Sequence, residues 1–264
     1  MMAKRSNYSE LYQGQGYVVV RGLLQLEEVE HINQAMLRMH ARGGQPGFYQ
    51  VHGAERDFDD GYHYVFRKDD PLLAYPRVQQ PHRFMPEIRR YALDERIFDW
   101  FEQVLEESVL FLSSMFFFKP PGARGQAFHQ DNWYLQVRPG SCAAAWIACD
   151  ACTQENGALT IVPGTHRLSI ADPERSDAKV SYSREFVQPP EGATPILAEL
   201  QPGDALLFDG NLIHGSEPNR SNEFRRCLVC HYMPVSALEA NRYGHAPLDR
   251  FGKEVERSVP TDAR

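Results

Sequence analysis

The sequence predicts a mainly β fold with flanking helices, a jelly roll or related barrel, and three observations predict it. About eight short apolar or alternating runs follow one another between Val109 and Met233. Turn signals separate them, among them Arg138-Pro139-Gly140, Asn156-Gly157, Pro163-Gly164 and Gln201-Pro202-Gly203-Asp204. The residues before Val109 instead carry apolar side chains at helical spacing.

In chain order, Ser6–Gln13 reads as a short helix and Tyr17–Val20 as a β-branched run before Arg21-Gly22. Leu26 to Met39 puts Val29, Ile32, Met36 and Met39 on one helical face. Residues 41–71 contain Gly-Gly-Gln-Pro-Gly, many charges and the aromatic residues Phe58, Tyr62, Tyr64 and Phe66. That composition predicts a long loop of the kind that serves as a lid or binding segment. Pro86–Tyr91 and Glu95–Leu105 read as two further helices. Strands are expected at Val109–Phe118, Phe128–Val137, Cys142–Cys149, Ala158–Val162, Ile196–Leu200, Ala205–Phe208, Ile213–Ser216 and Arg226–Met233. The charged segment Ser169–Thr194, with its Pro189-Pro190, interrupts them as a surface insertion. One domain is expected over residues 1–264, with a helical part and lid loop over about 1–108 and a β core over about 109–234.

A hydrophobic share of 42% and a charged share of 24% suit a globular core of ordinary size. The net charge of -7 argues against nucleic acid or an anionic membrane as the main partner, without excluding a local basic pocket. No run approaches the roughly 18 apolar residues of a membrane span. The polar N-terminus and the odd number of cysteines, 5, lead us to expect a cytoplasmic enzyme. Cys149-x-x-Cys152 and Cys227-x-x-Cys230 lie much farther apart than the roughly 15–20 residues of a zinc ribbon. Buried thiols acting as small hydrophobes are expected instead.

The chemistry concentrates in Phe128-His129-Gln130-Asp131, His214-Gly215-Ser216 and Arg225. On a strand, His129 and Asp131 would share a face and hold neighbouring positions on one metal ion. A carboxylate turned into a barrel must be paired or metal-bound to offset its desolvation. His214, following an apolar strand, would complete two histidines and one carboxylate, the set with open positions found in non-haem Fe(II) oxygenases. Arg225 and Arg226 are adjacent, so alternation sends only one inward. An inward guanidinium calls for an anion, and a dicarboxylate offers a bidentate partner. Ser216 shares strand parity with His214 and supplies a hydroxyl donor to the same carboxylate.

The pattern Lys119-Pro-Pro-Gly, His129-Gln-Asp131, Trp146, Asn156-Gly-Ala-Leu159, Val162-Pro-Gly-Thr-His166 and His214-x-Ser216-x-x-Asn219-x-Ser221-x-x-x-Arg225 resembles the phytanoyl-CoA dioxygenase family over Tyr17 to Met233. The resemblance implies a double-stranded β-helix, cupin-like, and an Fe(II)- and 2-oxoglutarate-dependent reaction with O2. It implies His129, Asp131 and His214 as iron ligands, and Arg225 with Ser216 as the clamp for the distal carboxylate of 2-oxoglutarate. Met115 and Trp146 match positions lining the cosubstrate pocket. Arg77 matches a cosubstrate-contacting position that is lysine in some relatives. His166 is expected to be structural. Related halogenases carry a small residue in place of the aspartate, so the intact Asp131 favours hydroxylation.

The expected substrate is a small molecule, met by the 41–71 loop including Tyr64, by the Arg77–His82 stretch with His82, and by Trp133. Two rival readings stay open: a non-catalytic barrel that binds a small ligand, and a metal-dependent cupin isomerase or hydrolase.

Overall fold

The strand Cys227–Pro234 is buried at all of its residues because both of its faces are covered. The computed structural model describes residues 2–42, 77–241 and 245–256, with side chains from Tyr8 onward. Its elements run α1 (Met2–Gln15), β1 (Tyr17–Val20), α2 (Leu26–Ala41), β2 (Arg77–Gln79), α3 (Pro86–Ala92), α4 (Glu95–Leu105), β3 (Val109–Phe117), β4 (Gln126–His129) and α5 (Asp131–Leu135). They continue as β5 (Ala143–Ala148), β6 (Leu159–Ile161), β7 (Glu174–Arg175), β8 (Glu185–Phe186), β9 (Ile196–Ala198), β10 (Ala205–Asp209), β11 (His214–Ser216) and β12 (Cys227–Pro234). A larger sheet orders β1-β10-β5-β12-β3-β2 and a smaller one β4-β11-β6-β9, and their ladders are antiparallel. This is the expected mainly β jelly roll with flanking helices.

Alternation divides the large sheet between two cores. Ala145, Ile147, Leu207, Leu228, Cys230 and Tyr232 pack outward against Ile32, Met36, Ile88, Phe98 and Phe101 of the helices. Ala144, Trp146, Leu206, Phe208, Cys227 and Val229 face inward and meet Leu159, Ile161 and Ala198 of the small sheet. On the outer side Phe98 meets the Tyr232 ring edge-on at 5.3 Å, and the Tyr232 hydroxyl donates to the Ala92 carbonyl at 2.9 Å. Phe98→Ala is therefore expected to cost about 3–5 kcal/mol of stability in urea unfolding. At the far end of this layer Asn33 Nδ2 donates to the Cys149 carbonyl at 3.0 Å, tying α2 to the end of β5. The cysteines are all buried and free. Among the described residues, no helix is long and apolar enough to cross a membrane.

Two expectations need correction. Phe128–Val137 is not one strand: β4 ends at His129 and the chain turns into α5. Asp131 occupies the first helical turn, where an acidic side chain suits the helix dipole. Asn132 closes the turn, its Oδ1 accepting from Val137 N–H at 2.8 Å. Ser169–Thr194 is more than a surface insertion. β7 and β8 pair with each other, Ser181 and Val187 are buried, and Val187 N–H donates to the Phe128 carbonyl at 2.7 Å. Gly125 N–H donates to Val180 O and the Gly125 carbonyl accepts from Tyr182 N–H, so the segment satisfies backbone groups along the open edge of β4. The short β2 carried no sequence signal of its own, yet it lies beside Met115–Phe117 of β3 at the end of the large sheet. The expected 41–71 loop, with Tyr64, falls almost wholly outside the described residues.

Candidate metal centre

His129 and His214 come together because they are direct cross-strand partners in the pairing of β4 with β11. Their ring centroids are 4.2 Å apart. Asp131 arrives from the first turn of α5, with Oδ1 3.4 Å from His129 Nε2 and 3.7 Å from His214 Nε2. One donor atom from each residue lies within 4.8 Å of the others, so the three can share one ion. The three residues expected from the sequence converge, but a strand-to-helix turn, not i, i+2 alternation, aims the carboxylate.

The donor set fits a divalent iron. Each imidazole is fixed through Nδ1, which donates to a carbonyl two residues earlier: His129 to Ala127 O and His214 to Leu212 O, both at 2.9 Å. That tautomer leaves each Nε2 lone pair for a metal. Burial, and then His129, push the His214 pKa down to about 4, which keeps its imidazole neutral near pH 7. Burial alone would raise the Asp131 pKa, but His214, His129 and His231 hold it well below the carboxylate range. Gln126 Nε2 lies 3.0 Å from His129 Nε2, and its Oε1 accepts from the Tyr182 hydroxyl.

Two residues beyond His214, Ser216 meets one of two buried basic side chains, Lys119 and Arg225. Arg225 is buried at 3% exposure, and its guanidinium lies 5.0 Å from the Trp146 ring centroid. Its Nη1 donates to Gly157 O at 3.3 Å, whereas Nε has no partner. Among the described residues no carboxylate pairs with it. Its neighbour Arg226 turns the other way and binds Asp150 through Nε and Nη2 at 2.8 and 2.7 Å. A guanidinium left without an anion in such a place is suited to a carboxylate ligand.

Lys119 is the residue that the sequence reading left unassigned. Its buried Nζ lies 2.9 Å from Gly157 O, 3.0 Å from Ser216 Oγ and 2.6 Å from Glu217 O. Burial and then Arg225 push its pKa well below the lysine range. Ser216 Oγ also accepts from Gln126 N–H at 3.3 Å, so beside a Lys119 ammonium its own hydrogen is left for a further acceptor. Gly157 sits at φ +74, and a Cβ there would meet Glu217 O at 2.3 Å and Lys119 Nζ at 2.5 Å. We expect Gly157→Ala to lower stability by about 1–3 kcal/mol and to disturb the contacts of Lys119, checked by denaturant unfolding and cosubstrate titration.

Met115 and Trp146 belong to one row across the large sheet, running Trp146–Val229–Met115–Gln79. The next row holds Cys227, Phe117 and Arg77. Arg77 is buried, with its guanidinium 4.7 Å from the Tyr182 ring and 5.6 Å from the Phe117 ring. Trp133 lines a cavity of about 310 Å³ with Pro173, Glu174, Arg175, Arg184 and Glu185. His166 Nε2 reaches the Gln13 carbonyl at 3.1 Å and so ties its turn to α1.

His82 is a correction. Its Nδ1 lies 2.8 Å from Ser114 Oγ, and its ring meets Phe111 edge-on at 4.7 Å. Ser114 alternates with Met115 and points to the helical side of the sheet, so His82 is packed away from the metal cluster. Burial, then Arg89, Arg83 and His245, lower its pKa from 6.5 to about 3. The folded protein therefore binds this proton less readily than the unfolded chain. The stability involved is complete above about pH 6.5 and is lost toward pH 3, with a limiting slope of about 1.4 kcal/mol per pH unit. Acid unfolding of His82→Gln is expected to show a shallower slope across that window.

The phytanoyl-CoA dioxygenase (PhyH) family model matches residues 12–227. A phytanoyl-CoA dioxygenase domain-containing protein 1 homolog of Dictyostelium discoideum is 25% identical over 249 residues, covering 84% of this chain and 88% of the relative. The peroxisomal phytanoyl-CoA dioxygenase of Mus musculus is 24% identical over 233 residues, covering 84% of this chain and 66% of the relative. The epimerase SnoN, solved with Fe3+, alpha ketoglutarate and nogalamycin RO, superposes with a TM-score of 0.71 at 20% identity, covering 100% of this chain and 97% of SnoN. EctD from S. alaskensis, solved with 2-oxoglutarate and 5-hydroxyectoine, gives a TM-score of 0.64 at 22% identity over 90% of this chain and 79% of its own. These two likenesses establish a shared fold. With the family model spanning most of its length and the motif residues gathered at one centre, this chain belongs to the phytanoyl-CoA dioxygenase family.

Proposed function

We propose that this chain is an Fe(II)- and 2-oxoglutarate-dependent dioxygenase that hydroxylates an unactivated C–H bond of a small-molecule metabolite, releasing succinate and CO2. The observation that carries the reading is the pairing of a buried His129–Asp131–His214 cluster with a buried Arg225 that lacks a carboxylate partner. SnoN and EctD, which share the fold, were solved with the same keto acid. Bound iron would supply the activation of O2, coupled to oxidation of the keto acid.

The chain's own groups do the rest. His129 Nε2, His214 Nε2 and Asp131 Oδ1 hold the ion and leave positions open for cosubstrate and O2. Arg225 fixes the distal carboxylate of 2-oxoglutarate, and Ser216, oriented by Lys119, donates to it. Trp146 and Met115 wall the cosubstrate site with apolar surface, which strengthens that ion pair by excluding water. Arg77, between Tyr182 and Phe117, adds positive charge at the edge of the sheet. Lys119→Met is expected to raise the KM for 2-oxoglutarate about fivefold, the worth of a hydrogen bond of about 1 kcal/mol. A substrate contact at Trp133 is supported by its position on the 310 Å³ cavity between α5 and the β7–β8 hairpin.

The reading is tested by incubating purified protein with Fe(II), 2-oxoglutarate and a panel of small metabolites, following succinate and product mass. A product heavier by about sixteen mass units supports hydroxylation; one lighter by about two means desaturation or ring closure, and an unchanged mass means isomerisation. A non-catalytic barrel would release no succinate. A zinc-dependent cupin isomerase or hydrolase would turn over without 2-oxoglutarate.

A further inference from the structure

We infer that His231 is a positioning residue that holds the Asp131 carboxylate so that a single oxygen, Oδ1, is presented to the metal. The inference rests on the iron reading above and assigns a residue outside the ligand set.

His231 lies on β12, on the inward row Ala144–His231–Ser113, and the register of β12 with β3 shifts immediately after it. Its side chain is 2% exposed. Nε2 is 3.1 Å from Asp131 Oδ2, and Nδ1 is 3.4 Å from Ser113 Oγ. The two carboxylate oxygens therefore have different surroundings. Oδ1 faces the two ligand imidazoles, at 3.4 and 3.7 Å, whereas Oδ2 is turned toward His231. A carboxylate oxygen cannot donate, so Nε2 carries the hydrogen, and Nδ1 accepts from the Ser113 hydroxyl.

The coordination chemistry gives this bond a consequence. A carboxylate with both oxygens free binds an ion through one or both of them. Binding through both would occupy a position that the two-histidine, one-carboxylate arrangement leaves for cosubstrate and O2. With Oδ2 held by a charge-assisted hydrogen bond, binding through both oxygens requires breaking that bond inside a buried site. His231 thus completes the pattern already set at the two imidazoles, whose Nδ1 atoms are held by carbonyls: every metal-facing donor is fixed from behind.

The test is anaerobic Fe(II) titration of the wild-type chain, His231→Ala and His231→Gln. The unfolding temperature of each metal-free form and the absorption spectrum of each Co(II)-loaded form complete the comparison. Weakening of Fe(II) binding by about 10–100-fold is expected for His231→Ala, the range typical of lost outer partners. His231→Gln, whose amide N–H takes the place of Nε2–H, is expected to restore most of the affinity and a wild-type Co(II) spectrum. If the alanine variant does not fold, His231→Asn, whose amide stops short of Oδ2, replaces it in the comparison. Wild-type affinity in the alanine or asparagine variant, or glutamine performing no better than either, overturns the inference. Failure of the wild-type chain to bind Fe(II) overturns the iron reading and this inference together. Normal wild-type binding with unaffected variants overturns the His231 role alone.

Discussion

Asp131→Ala is expected to abolish Fe(II) binding and turnover together while leaving the fold intact. Asp131 supplies the oxygen that lies within reach of both ligand imidazoles. Its loss leaves two nitrogens and no anionic donor for a divalent ion. Partners one step removed from a metal already change affinity by about 10–100-fold, so loss of a direct ligand is expected to exceed about a hundredfold. Turnover should fall by at least the same factor. Asp131 is only one turn into α5, and the surrounding cores do not depend on it. Circular dichroism of the metal-free protein should therefore match that of the wild type, while its unfolding transition falls, because buried His231 loses the carboxylate that it holds. Asp131→Gly gives a sharper comparison, since it opens the position at which related halogenases carry a small residue. Retained hydroxylation by either variant would contradict the assignment.

Arg225→Ala is expected to act through 2-oxoglutarate, raising its KM about 10–150-fold while leaving Fe(II) binding near wild type. The range follows from hydrogen bonds to charged groups worth about 1.5–3 kcal/mol. Arg225 is buried against Trp146, so a carboxylate reaching it is shielded from water and salt. Arg225→Lys is expected to recover only part of the loss, because an ammonium keeps the charge but not the planar fork. Arg226→Ala serves as the contrast. Its guanidinium is spent on Asp150, so its replacement should affect stability and leave the cosubstrate KM alone.

Much of this centre was legible in the chain, for identifiable reasons. The large-sheet strands announce themselves by length and burial: Val109–Phe117 and Cys227–Pro234 are long apolar runs, and each matches its expected span to within a residue or two. The helices α2 and α4 follow from apolar spacing in the same way. Of Arg225 and Arg226, alternation said that one turns inward, and Arg225 does. Three features were not legible. The break after His129 depends on Asn132 bonding to Val137 and on Asn132 N–H reaching Gly210 O, a partner distant in sequence. Lys119 looks like an ordinary charged residue before two prolines. Only the fold brings Gly157, Ser216 and Glu217 around its Nζ. His231, inside an apolar strand, reads as a core residue until β12 is placed opposite α5. His82 misled in the other direction, because its proximity to Arg77 in sequence hides the fact that Ser114 and Met115 face opposite sides of β3.

The central claim is that His129, Asp131 and His214 hold one iron beside an arginine that grips the keto acid. Anaerobic crystals grown with Fe(II) and 2-oxoglutarate, and examined by anomalous scattering at the iron edge, test it most directly. One iron per chain is expected, bonded to His129 Nε2, His214 Nε2 and Asp131 Oδ1, with the distal carboxylate of the keto acid on Arg225. Iron bound elsewhere, or a keto acid whose distal carboxylate lies away from Arg225, would contradict it.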